Sequence, residues 1–379
     1  MTICRALLVC VISVIFAAPL AAQDNEPLRV LTRTDYIDPH VVAEFTQRTG
    51  ILVEINIYDG SDSEDFQNLL AGRSGFDLVL VPANLLNLLA QSDAVLPLTT
   101  RFEIENSKYI SKQILRFLIQ YNFGRDKPLR IYGIPFLWGT TGIAYNKAEF
   151  RKRAGADRPD GLRFIFDPEM VSRFADCGVR LPDAPGEMIH TALRYKGEDP
   201  TTDDLRLIRT AEATLLAIRP YISGLHAGDV IPALANGEIC LAMAWSGDAL
   251  AAILLASQTG TGVDIGFVDP VDGGPIFFDL FAIPSNSDQS EEAVQFIDFL
   301  LTPEVTAVIS RYSLYPSVNA GANNMNWWIG LFDDRTLIPS WDIINSRFLV
   351  PPFDEKSLAV TSEIWENFKA DPGEAEPNE

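Results

Sequence analysis

Four short segments of the chain carry carboxylates in settings that suit recognition of a cation: TDYI at Thr34–Ile37, DAPGE at Asp183–Glu187, AWSGD at Ala244–Asp248 and FFD at Phe277–Asp279. Aromatic faces attract ammonium groups and cover methylenes, while carboxylates neutralise charged ends, so the combination suits a protonated aliphatic amine. Each segment alone also has a plainer reading. Trp245 fits a core position, Asp248 a helix N-cap after Gly247, and Asp279 a solvated strand residue.

Other chemistry lacks its residues. The three histidines, His40, His190 and His226, are widely spaced and form no HExxH or other metal-ligand pattern. No GxSxG elbow, GxGxxG fingerprint or Walker loop occurs. Paired carboxylates suit a glycosidase, but in a chain with 51 acids that signal is unspecific. The chain therefore reads as a binder rather than an enzyme, with no catalytic residue, metal or cofactor expected. Its net charge of -21, from 30 Lys+Arg against 51 Asp+Glu, argues against a nucleic-acid partner and favours small cations. An apolar fraction of 47% over 379 residues provides for two or three cored domains and excludes disorder for most of the chain.

The elements that position these segments alternate. Leu28–Leu31 reads as a strand, Asp38-Pro39 as a helix start before VVAEFTQRTG, and Ile51, Val53, Ile55 and Ile57 as a second strand. An acid-capped helix in SDSEDFQNLLAG and a buried strand in FDLVLV follow. This β-α-β-α-β order predicts a largely parallel sheet covered by helices, an α/β fold in which Asp35-Tyr36 follows the first strand, where open sheets place ligands. From about Gly139 to Ala256 the pattern suggests a second α/β lobe, with helices at Glu187–Tyr195, Asp203–Ile218 and Ala227–Asn236 and a strand at Ile239–Ala244. Strands in VDIGFVDP and PIFFDLFAIP precede one helix, SEEAVQFIDFLLTPEVTAVISRY. The tail at 369–379 is charged, lacks aromatics and is expected to be disordered.

Residues 1–22 carry one Arg, an apolar run from Ala6 to Ala18, then Pro and small residues, the pattern of a secretory signal peptide cleaved near Ala22. Of Cys4, Cys10, Cys177 and Cys240, only the last two would then remain. Exported chains usually pair two such thiols; the alternative is two buried free thiols.

In these segments the chain resembles the periplasmic putrescine- and polyamine-binding proteins of bacterial ABC importers. The matching motifs are TDYIDP, GFDLV (Gly75–Val79), IPFLWGTTGIAYN (Ile134–Asn146), CGVRLPDAPGE (Cys177–Glu187), LANGEICLAMAWSGD (Leu234–Asp248), FFDLFAIP (Phe277–Pro284) and the segment around Tyr315. The resemblance implies a two-lobed, type II Venus-flytrap fold with the ligand between lobes 24–135 with 257–312 and 136–256 with 313–368. It implies amine-binding carboxylates at Asp35, Glu187, Asp248 and Asp279, and aromatic walls at Tyr36, Trp245, Phe277 and Tyr315. Thr34 and Asn84 would add polar contacts, and Cys177 and Cys240 would form the family's disulfide. A monomer delivering a putrescine-like polyamine to an inner-membrane permease is the function so implied, with the periplasm as its location.

Two stretches depart from the family. Arg33 stands where the family usually has Trp, so it either enters the pocket, favouring a carboxylate-bearing ligand or pairing with an acid such as Asp35, or turns outward. Beyond Ala320, NNMNWWIGLFDD matches poorly and transfers no contact. A ligand that is an amino-carboxylate or modified amine, a sensory subunit, and a secreted hydrolase using two cleft acids are the competing readings.

Overall fold

The computed structural model describes residues 26–58, 64–120, 132–325, 346–351 and 354–370; the expected signal peptide at 1–22 and residues 371–379 of the expected tail lie outside the described residues. Ten strands are described: β1 (Leu28–Thr32), β2 (Val53–Ile57), β3 (Leu78–Pro82), β4 (Ile134–Asn146), β5 (Val179–Pro182), β6 (Gly224–His226), β7 (Leu241–Trp245), β8 (Ile265–Val268), β9 (Pro275–Ala282) and β10 (Phe348–Leu349). They run in the order β2-β1-β3-β9-β4-β7-β5-β6, with β10 beside β9 and β8 beside β4.

The opening alternation folds as its period predicts. β1 pairs in parallel with β2 on one side and β3 on the other. The helix between β1 and β2, Pro39–Thr49, starts where Asp38 accepts from the His40 backbone N–H and stops at Gly50, whose φ of 79° is the left-handed conformation that glycine adopts without strain. β9 returns late in the chain and enters antiparallel between β3 and β4.

β4 links the two halves. Its residues from Ile134 to Thr140 pair with β9, and those from Thr141 to Asn146 pair with β7 and β8. All but Asn146 are buried, so the strand is covered on both faces and its burial does not alternate.

Two bodies of core flank this strand. One large cluster draws on residues 28–138 and 276–350, centred on Phe136, Trp138, Phe278 and Phe281. A second packs Phe150, Phe164, Phe166, Phe174 and Met243 with Ile364, Trp365 and Phe368 of the final helix, Glu355–Lys369. A smaller alanine-rich cluster, with Ile265 and Phe267 of β8, covers the other face of the second sheet.

One expected element is corrected. The helix expected in SEEAVQFIDFLLTPEVTAVISRY is two helices, Ser290–Leu300 and Pro303–Ser313, bent by 81°. Pro303 lacks an N–H and disfavours helical backbone at Thr302, which sits at φ -60°, ψ 131°. Among the described residues no single helix is long and apolar enough to cross a membrane.

Cys177 and Cys240 form a disulfide with Cα atoms 5.6 Å apart, tying the segment before β5 to the start of its neighbour β7.

Candidate functional site

A cavity of about 640 Å³ opens between the two bodies, at the ends of β1, β3, β5, β7 and β9. It is the size of a small-molecule site, in the position where α/β sheets bind ligands. All ten residues expected from the sequence line it: Thr34, Asp35, Tyr36, Asn84, Glu187, Trp245, Asp248, Phe277, Asp279 and Tyr315.

The backbone places each group differently. Asp35 has a φ of 56°, which turns Thr34 and Asp35 to the exposed mouth and Tyr36 inward. Asp gives up less than bulky residues in that conformation. At the mouth the Asp35 carboxylate accepts from the Tyr312 hydroxyl at 3.3 Å. Asn84 lies half-buried at the start of the helix Ala83–Gln91, directly after β3. On β9 the strand period of two sends Phe277 and Asp279 to the cleft and Phe278 into the core, where it stacks on Trp138.

Glu187 and Asp248 both sit in first turns of helices, Pro185–Tyr195 and Ser246–Thr259, where the exposed N–H groups and the dipole favour negative charge. Asp248 is therefore a first-turn acid of its helix, with Trp245 in the cap position. Gly247 precedes it for a steric reason: a Cβ there would lie 2.4 Å from the Tyr315 ring.

Asp279 is buried and Glu187 and Asp248 are half-buried, and each of these carboxylates is met by neutral donors. Tyr36 Oη donates to Asp279 at 2.9 Å, and Tyr315 Oη donates to Asp248 at 2.9 Å. Glu187 accepts from Thr141 Oγ1 at 2.5 Å and from Trp245 Nε1 at 3.2 Å. The rings complete a box: Tyr36 and Tyr315 lie 5.4 Å apart, Phe277 and Tyr315 5.8 Å, and Trp245 meets the edge of His226 at 6.0 Å.

Burial dominates the electrostatics. It pushes the Asp248 carboxyl up to about 6, opposed by the Tyr315 hydrogen bond and the charge of Arg33. Asp279 is raised by burial, opposed by Arg33 and the Tyr36 bond, and Glu187 by burial, opposed by its Thr141 and Trp245 bonds. Carboxylates so desolvated favour either a proton or a bound cation.

The geometry settles which way Arg33 points. Its side chain enters the cavity, with the guanidinium carbon 5.4 Å from the Tyr58 ring centroid and 5.8 Å from that of Trp245. Sequence reasoning did not single out Tyr58, Tyr312 or Thr141. Tyr58 carried a signal of position, one residue beyond β2 at the same sheet end as Asp35. Thr141 lay inside a motif quoted whole, with nothing to separate it from its neighbours. Asp183, at the cavity edge, turns to the final helix instead, accepting from Trp365 Nε1 at 2.5 Å.

Residues 40–331 match the family described as bacterial extracellular solute-binding protein. The chain is 32% identical to the putrescine-binding periplasmic protein SpuD of Pseudomonas aeruginosa, over 92% of this chain and 93% of that protein. It is also 32% identical to the putrescine-binding periplasmic protein PotF of Escherichia coli, with the same coverage. In structure it resembles the spermidine/putrescine ABC transporter substrate-binding protein PotD from Streptococcus pneumoniae, with a TM-score of 0.71 at 22% identity over 91% of this chain and 98% of that one.

Proposed function

The chain belongs to the bacterial extracellular solute-binding protein family, and on that premise we propose that it captures a protonated aliphatic amine of the putrescine class between its two lobes and delivers it to an ABC permease. It is a binding protein and not an enzyme, so the hydrolase reading falls with the family assignment. The observation that carries the choice of solute is the set of Glu187, Asp248 and Asp279, three desolvated carboxylates held only by neutral donors inside aromatic walls. An ammonium group supplies the counter-charge that one Arg33 does not, and the methylenes beyond it lie against the rings.

Asp248 and Asp279 take the ammonium, Glu187 supports it, and Tyr36, Trp245, Phe277 and Tyr315 cover the chain, with Thr34, Asp35 and Asn84 at the mouth and margin. Because these residues come from both bodies, a bound amine adds contacts to each and favours the closed form by differential affinity. The hinge consists of three crossings. One lies within β4; the packing of Ile265–Val268 on the second body and of Tyr315, Val318 and Phe348–Val350 on the first supports putting the others near residues 269–275 and between Val350 and the final helix. The protein works as a monomer in the periplasm, after removal of residues 1–22.

Isothermal titration of the purified, ligand-free protein with putrescine, cadaverine, spermidine and agmatine tests this. Saturable binding of one amine per chain is expected. Absence of binding by every amine, with the protein shown folded by its melting transition, rejects the reading.

A further inference from the structure

Arg33 is the one guanidinium among the residues lining this cavity, and its neighbours are rings rather than acids. It lies over Tyr58 from the first body and Trp245 from the second, bonded to the Tyr58 side chain. Among the described residues no carboxylate lies within ion-pair distance of it, although Asp248, Asp279 and Glu187 line the same cavity. Those acids are already engaged by Tyr315, Tyr36, Thr141 and Trp245. Burial pulls the Arg33 pKa down, but Tyr58, Asp279, Tyr36 and Tyr315 outweigh it and hold the group charged.

A guanidinium carries five donors in a fixed fork, and among the described residues a single Tyr contact leaves most of them open to a ligand. The cavity thus holds, beside its carboxylates, one fixed cation over the rings of Tyr58 and Trp245. A second ammonium beside that cation meets like charge, whereas an oxygen acceptor there gains a charge-assisted hydrogen bond.

We propose that Arg33 sets the specificity of the cleft: the preferred solute carries one protonated amine and, at the far end of a short aliphatic chain, a carboxylate or amide carbonyl in place of a second ammonium. This rests on the amine reading above and narrows it.

Three probes that share an amine on a three- or four-methylene chain and differ at the other end test it by calorimetry: putrescine, N-acetylputrescine and 4-aminobutyrate. Wild type is expected to bind one of the acceptor-bearing probes at least tenfold tighter than putrescine, and which one it is separates amide from carboxylate. Arg33→Met, which keeps the aliphatic stem, should weaken that probe at least tenfold and strengthen putrescine; Arg33→Lys should retain the wild-type order. A preference for an acceptor-bearing probe below tenfold, a preference for putrescine, or an unchanged order in folded Arg33→Met overturns the proposal. Putrescine binding best leaves the amine reading standing without it. Failure of all three probes to bind overturns the proposal, and rejects the amine reading as well only if cadaverine, spermidine and agmatine also fail.

Discussion

The Tyr315 hydroxyl donates to the Asp248 carboxylate across 2.9 Å, joining a ring packed on the first body to the first turn of a helix on the second. The bond bridges the two bodies beside the cavity and fixes a carboxylate that lines it. Tyr315→Phe keeps the ring and removes the donor, so amine affinity is expected to fall about tenfold, or ~1.4 kcal/mol, by calorimetry. An unchanged affinity would show that this bond neither positions Asp248 nor holds the lobes together.

Replacing the charge should cost more than replacing the donor. Asp248→Asn and Asp279→Asn preserve shape but leave an ammonium without its counter-charge, and each is expected to weaken binding by at least about 2 kcal/mol. If both variants bind the amine as wild type does, the carboxylates are assigned wrongly.

The raised Asp248 pKa fixes the sign of the pH dependence. Its folded value of about 6 lies above the ordinary 3.8, so the empty protein holds this proton more tightly folded than unfolded. This group's contribution therefore stabilises the ligand-free fold as pH falls from above 6 toward 4 and is lost as pH rises through 6. A cationic ligand has the opposite preference: affinity should be flat above pH 7 and fall up to about tenfold per unit below 6, with proton release near pH 6. Titrations in buffers of differing ionisation enthalpy read that release, and Asp248→Asn should abolish this component.

Gly247→Ala probes the close approach of the second helix to the first body. The added Cβ would meet the Tyr315 ring at 2.4 Å, so ring and helix must separate. Overpacking of this kind costs about 1–3 kcal/mol. Because the clash crosses the cleft, it should appear chiefly as lost affinity, with a smaller change in the melting temperature of the empty protein. Equal losses in both would place the strain inside one body.

The Cys177–Cys240 bridge spans 63 positions of sequence. Closing a loop of that length constrains the unfolded chain by about 4 kcal/mol in the entropy model. Cys177→Ala combined with Cys240→Ala is expected to lower unfolding free energy in urea by 2–5 kcal/mol, roughly the range for such removals. The oxidised wild type should show no free thiol at either position.

Much of the first body was legible because its signals are local. Asp38-Pro39 caps a helix and Gly50 ends it, and the alternation at Val53, Ile55 and Ile57 marks a strand. The break at Pro303 was missed because apolar spacing continued across it; the proline outweighed the period. β4 was harder in principle, since buried residues on both faces carry no record of which strands flank them. In the site, the carboxylates and rings stood out by type and by resemblance. What they bond to did not, because Tyr315 meets Asp248, and Tyr36 meets Asp279, across 67 and 243 positions. The direction of Arg33 likewise depended on Tyr58 and Trp245, which only the assembled fold brings around it.

The late insertion of β9 between β3 and β4 dictates an order of events in synthesis and export. When the first 146 residues have emerged, β3 and β4 exist as sequence but the strand that separates them does not. Both edges stay open until residue 282 has followed, more than 130 positions later, after β5 to β8 of the second body have passed. A chain arrested before that point exposes unpaired apolar strand edges, which favour association with other chains. Once β9 docks, it fills the gap between β3 and β4 and brings Phe277 and Asp279 to the cleft, so that wall of the cavity arises in the same step as the sheet that carries it.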